Sequence, residues 1–136
     1  MKVFIVEQSG AEDEWLSALT MAKEIELIKV GRPDGCPDFH DKERTGKDKV
    51  VVDKVNATDP EEIARAARGM DLVVDMVDSW MSPYVKKGAL KAEADYVNPK
   101  ADISFWSKFK EGKRKLQNAP YIVSPEVKSI KHKKGV

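Results

Sequence analysis

Four short runs rich in β-branched residues limit what this chain can become: Lys2–Val6 (KVFIV), Glu26–Val30 (ELIKV), Val50–Val55 (VVVDKV) and Asp71–Val77 (DLVVDMV). Each is mostly apolar in consecutive positions rather than in alternation, as expected of strands buried on both faces. Between them, apolar residues return at helical spacing. Trp15, Leu16, Leu19 and Ala22 give Gly10–Lys23 one buried stripe. A chain in which buried strands and amphipathic helices take turns has few architectures open to it. The economical one is a parallel sheet covered on both sides and joined by right-handed crossovers.

The punctuation agrees. Ser9 followed by Glu12 forms a capping box at the start of the first helix. Gly31–Lys49 is polar and rich in Gly, Pro and Asp, so it reads as loop with a short helix near Asp41–Arg44. In Asn56-Ala57-Thr58-Asp59-Pro60-Glu61-Glu62, Asp59 is the N-cap, Pro60 the first helical residue and Glu62 the return arm of a capping box. Ile63, Ala66 and Ala67 then face inward, and Gly69 closes the helix. Ser82-Pro83 opens a helix to about Ala92, and Asp95–Val97 is a fifth strand. Phe105, Trp106, Phe109 and Leu116 place a helix over Ile103–Gln117, and Pro120–Ser124 (PYIVS) reads as a sixth strand. The expected fold is α/β: three layers around a doubly wound, mostly parallel, Rossmann-like sheet of about six strands in the order 3-2-1-4-5-6. Residues 1–127 form this one domain, and 128–136, with four lysines and a histidine, form a basic tail expected to fray.

Composition narrows the function classes. With 24 basic and 23 acidic residues the formal net charge is +1, so no global field draws in nucleic acid or an anionic membrane. No apolar run approaches the ~20 residues that span a bilayer. A single cysteine, Cys36, permits no internal disulfide, and a cytoplasmic location is expected. Cys36 and His40 supply only two good metal ligands, so no metal site is expected.

Three stretches carry a resemblance. MKVFIV, the block VNATDPEEIARAARGMDLVVDMV and GALKAEADYV are similar to the N-terminal NAD(P)-binding domain of saccharopine dehydrogenase-like proteins. The motifs V-x-A-T-D-P-E and R-G-x-D-L-V-V are its most specific part, and A-L-K-A and D-Y-V follow at the family's usual distance. The resemblance spans roughly Met1 to Val97. It implies a dinucleotide fold with a Gly-x-Gly-x-x-Gly loop after the first strand. In that register Glu7, Ser9 and Glu12 occupy the three glycine positions. Gly31 stands where the family often has an acid, Arg32 follows it, and Glu93 replaces a later glycine. The family's large C-terminal substrate domain has no counterpart within these residues, so a stand-alone domain is expected.

The candidate site is the carboxyl edge of the sheet, where open α/β folds bind ligands. It should gather Glu7, Ser9, Gly10, Arg32, Asp75, Asp78, Ser79 and Asn98 as cofactor- or ligand-binding residues, with no catalytic residue assigned. A helix N-terminus offers an anion about 0.3–1 kcal/mol, up to ~2 when partly buried. A like charge ~6 Å away costs on the order of 3 kcal/mol at an effective dielectric near 20. Glu7 and Glu12 would flank a pyrophosphate, so repulsion outweighs the dipole and no cofactor is expected. If one binds, the family resemblance favours NADP over NAD, with Arg32 on the 2′-phosphate. The plainer reading of Arg32 is a solvated loop residue. Asp75 and Asp78 could act as an acid–base pair only where the strand ends, because residues i and i+3 point to opposite faces. The plainer reading is one buried, hydrogen-bonded Asp and one loop Asp.

Two functions follow. One is a degenerate dinucleotide-binding-like domain acting without catalysis as a binding, regulatory or assembly module. The other is the NAD(P)-binding component of an oxidoreductase whose substrate domain lies on another chain. A small-molecule ligand, a partner subunit or a second copy would be the partner, with Trp80, Phe105 and Trp106 as apolar surface for self-association.

Overall fold

A computed structural model describes residues 1–8, 13–33 and 50–125, with the backbone alone for 13–16. Five strands, β1 (Lys2–Glu7), β2 (Leu27–Arg32), β3 (Val50–Lys54), β4 (Leu72–Met76) and β5 (Asp95–Val97), form one sheet in the order β3-β2-β1-β4-β5. Every pairing between them is parallel. Among the described residues four helices cover it: α1 (Asp13–Met21), α2 (Pro60–Ala67), α3 (Ser82–Lys91) and α4 (Ile103–Lys110).

Strand alternation sorts the core into two layers. Val3, Ile5, Ile28, Val30, Leu72 and Val74 pack with Leu19 of α1 and with Trp106 and Phe109 of α4. Phe4, Val6, Val73 and Tyr96 face the other way, onto Ile63 and Ala66 of α2 and Val85 and Ala89 of α3. Residue 88 explains how closely α2 and α3 meet. A Cβ on Gly88 would lie 2.5 Å from Ile63 Cβ and 2.7 Å from the Pro60 carbonyl oxygen.

The start of α2 follows the sequence with one change. Asp59 caps it, accepting from the Glu61 N–H at 3.0 Å, and Pro60 opens it. Glu62 does not return to Asp59. The Asp59 N–H already donates to the Asn56 carbonyl at 3.1 Å, and Glu62 Oε1 accepts from the Asn56 N–H at 3.4 Å instead.

The C-terminal part departs further. The helix expected over Ile103–Gln117 ends at Lys110; Gly112 follows at φ 79°, and Leu116 reaches the core from a separate 3₁₀ turn. The sixth strand does not form. Pro120–Ser124 contributes one antiparallel bridge, in which Tyr96 and Val123 exchange both backbone hydrogen bonds at 2.8 Å. Tyr121 sits at φ 60°, which breaks the extended run. Trp106 is a core residue at 1% exposure, so it does not offer the open apolar surface expected for self-association; Phe105 is half-buried against that core and Trp80 is exposed. Among the described residues no helix is long and apolar enough to cross a membrane. The Ser9–Glu12 cap, the short helix near Asp41–Arg44, the Cys36–His40 pair and the basic tail lie outside the described residues.

Candidate functional site

The ends of β1 and β2 are adjacent. Val6 pairs with Gly31, so Glu7 and Arg32 come next in the ladder, on the face that carries α1 and α4. Arg32 Nε donates to Glu7 Oε1 at 2.6 Å, and each side chain is only 5% exposed. Arg32 is therefore not a solvated loop residue. The strand runs two residues beyond the apolar stretch that marks it in the sequence: Arg32 still pairs with Lys54, and its carbonyl accepts from the Val55 N–H at 2.8 Å. Gly31 permits this. A Cβ there would stand 2.7 Å from the Phe4 ring and 3.2 Å from Val55. The acid that the family resemblance places at this position has no room while Phe4 packs here.

Asp75 lies on the opposite face, because its neighbour in the ladder is Val6. It is fully buried, and among the described residues its donors are neutral. Tyr96 Oη donates to Asp75 Oδ2 at 2.5 Å, and the Val77 N–H donates to Oδ1 at 3.0 Å. Burial raises the Tyr96 phenol well above its usual range, and the hydrogen bond to Asp75 and its charge add to the effect. Asn98 and the Ser82 hydroxyl oppose the shift; the latter is near the phenol but outside good hydrogen-bond geometry. The phenol therefore stays a protonated donor.

The remaining site residues are spread out. Asp78 is exposed, and its N–H donates to Gln8 Oε1 at 2.8 Å, which ties the ends of β4 and β1 together. Ser79 is exposed. Asn98 caps a short turn by accepting from the Lys100 N–H at 3.0 Å. Asp75 and Asp78 do not form a shared acid–base cleft: one is inside the α2–α3 layer and the other is in solvent. Ser9 and Gly10 fall outside the described residues. Among the described residues no group of three His, Cys, Asp or Glu side chains could hold a metal ion.

Sequence reasoning missed two features here. Tyr96, the partner of Asp75, is in the middle of β5, and only the strand pairing brings it close. Glu93 stands at φ 63°. That left-handed backbone is a conformation a glycine adopts more readily than a residue with a side chain.

Among solved structures, the chain is similar to saccharopine dehydrogenase (L-Glu forming) from Saccharomyces cerevisiae in its apo, histidine-tagged form. The TM-score is 0.58 at 18% identity, over 72% of this chain and 21% of that one. The likeness thus spans about a fifth of that protein's length. No protein-family model matches the chain, and a search of curated proteins finds no match. At this identity the likeness is one of fold: the chain folds as a saccharopine dehydrogenase-like, Rossmann-type domain.

Proposed function

We propose that this chain is a dinucleotide-binding-like domain that has lost its pyrophosphate site and serves, without catalysis, as a binding, regulatory or assembly module in the cytoplasm. The observation that carries this reading is the buried Glu7–Arg32 pair. It sits at the carboxyl ends of β1 and β2, where a dinucleotide would lie in a fold of this kind. Glu7 adds a carboxylate beside the pyrophosphate position and also holds Arg32, the arginine suited to a 2′-phosphate. Glycines at positions 7, 9 and 12 would let a backbone approach the phosphates; this chain has Glu, Ser and Glu.

The second reading is an NAD(P)-binding component working with a substrate domain on another chain. It keeps the advantage of the fold but meets a cost. For Arg32 to reach a 2′-phosphate it must leave Glu7, and an unpaired buried charge costs about 3–5 kcal/mol. A preference for NADP therefore requires the phosphate to replace the carboxylate at the same guanidinium.

A gain-of-binding experiment separates the two. In Glu7→Gly with Ser9→Gly and Glu12→Gly, the glycine loop returns and Arg32 loses its carboxylate. Isothermal titration with NAD and NADPH should show binding to this variant and none to the unaltered chain. Binding of equal strength to both proteins would overturn the proposal.

A further inference from the structure

Charge is unevenly placed along this nearly neutral chain. Residues 1–99 hold 14 basic and 20 acidic residues, whereas 100–136 hold 10 basic and 3 acidic. In the described part of the second stretch, Lys100, Lys108, Lys110, Lys113, Arg114 and Lys115 are all exposed. Of the clefts that open among them, two share a cation. One, of about 390 Å³, lies between α4 and the turn that follows, lined by Phe105, Lys108, Arg114 and Pro120. The other, of about 300 Å³, lies between α1 and α4, lined by Ala18, Met21, Phe109, Arg114 and Lys115. Arg114 borders both.

The carboxylates of these clefts are already engaged. Asp102 accepts from the Phe105 N–H at 3.0 Å, Glu24 accepts from the Leu116 N–H at 2.8 Å, and Glu111 pairs with Lys113 at 3.5 Å. The side chains of Lys108, Arg114 and Lys115 make no hydrogen bond or ion pair among the described residues. The result is unpaired positive charge beside two notches of mixed lining, with apolar wall from Phe105 and Pro120 in one and from Ala18, Met21 and Phe109 in the other.

We propose that these clefts dock an acidic segment of a partner protein: a carboxylate on Arg114, an apolar side chain in each notch, and further acids facing Lys108 and Lys115. Arginine suits a carboxylate through two parallel hydrogen bonds. Nucleic acid fits less well. Trp106 and Phe109 are buried, and the α4 rings meet edge to face at centroid distances of 5.3 and 5.4 Å, so bases find no row of stacking platforms. A second copy also fits less well. The acidic start of α2, with Asp59, Glu61 and Glu62, lies on the other side of the sheet, so such contacts would be head to tail and not the self-complementary patch of a two-fold dimer. The inference rests on the assembly-module reading, but its test does not depend on dinucleotide binding.

Fluorescence anisotropy on the full chain tests it with the labelled peptide EELEELEE, its counterpart EESEESEE, a short single-stranded DNA and vesicles containing phosphatidylserine. EELEELEE should bind about tenfold more tightly than EESEESEE, and about tenfold more weakly at high salt than at low salt. Arg114→Glu should lower its affinity about tenfold while thermal unfolding stays unchanged, because the side chain is exposed. Phe105→Ser should remove the preference for leucine. Absence of EELEELEE binding, equal binding of both peptides, or tighter binding of DNA or vesicles would overturn the proposal.

Discussion

Glu7 and Asp75 stand on neighbouring strands at the same end of the sheet, both buried, and they are accommodated in opposite ways. Glu7 is matched by a full positive charge, Arg32 Nε at 2.6 Å. Asp75 is held by neutral donors, the Tyr96 phenol and a backbone N–H. The difference follows from the sheet's two faces. On the α1–α4 face β2 extends far enough to bring Arg32 alongside. On the α2–α3 face β5 brings a tyrosine. An ion pair cancels charge and leaves little to attract a ligand anion. A carboxylate held by a phenol instead fixes the packing of β4 against β5.

The largest expected effect breaks the charged side. Arg32→Met removes the cation that neutralises Glu7 and should cost about 3–5 kcal/mol in urea unfolding. Adding Glu7→Leu should recover most of that loss, because an apolar pair can replace a buried ion pair. If the double variant is no more stable than the single one, the pair is not the main interaction at this edge.

On the neutral side, Tyr96→Phe withdraws the donor from Asp75 and should cost about 1–3 kcal/mol at pH 7. The pH dependence has a definite sign. The folded pKa of Tyr96 is raised. Its contribution is therefore fully present below the unfolded value near 10 and declines as pH rises above it. The stability gap between the native chain and Tyr96→Phe should narrow from pH 9 to 11 (about one unit either side of that value) in paired denaturation curves. A gap that stays constant would mean the phenol ionises as freely in the fold as in the unfolded chain.

Two smaller changes sharpen the comparison. Gly31→Asp places an acid beside the charged pair but drives a Cβ into the Phe4 ring, and overpacking of this kind costs roughly 1–3 kcal/mol. Adding Phe4→Leu should relieve part of it, as read from the urea midpoint. Glu93→Gly places a glycine at φ 63°, in the turn between α3 and β5, and should raise stability by about 1 kcal/mol. A loss of stability there would mean the Glu93 side chain contributes more than its backbone costs.

These elements also show what the sequence could reveal. The five strands and their order were legible because strands buried on both faces leave consecutive apolar residues, as in Phe4-Ile5-Val6 and Leu72-Val73-Val74. The start of α2 was legible because Asp59 and Pro60 act locally. Pro120–Ser124 has the composition of a strand, but Tyr121 takes a left-handed turn that composition does not encode. The Glu7–Arg32 pair was hidden because polar residues at the end of a strand look like loop, and the ladder continues only where Phe4 covers Gly31. Period-two alternation separated Asp75 from Asp78, yet it could not name Tyr96 as the partner, since that contact crosses from β4 to β5.

The most direct test of the central claim is thermal unfolding of the unaltered chain with increasing NAD, NADP and NADPH. If the Glu7–Arg32 pair has replaced the dinucleotide site, the midpoint should stay constant with all three. A saturable rise, equivalent to about 2.7 kcal/mol at a hundred times the dissociation constant and absent from the Arg32→Met, Glu7→Leu double variant, would contradict it.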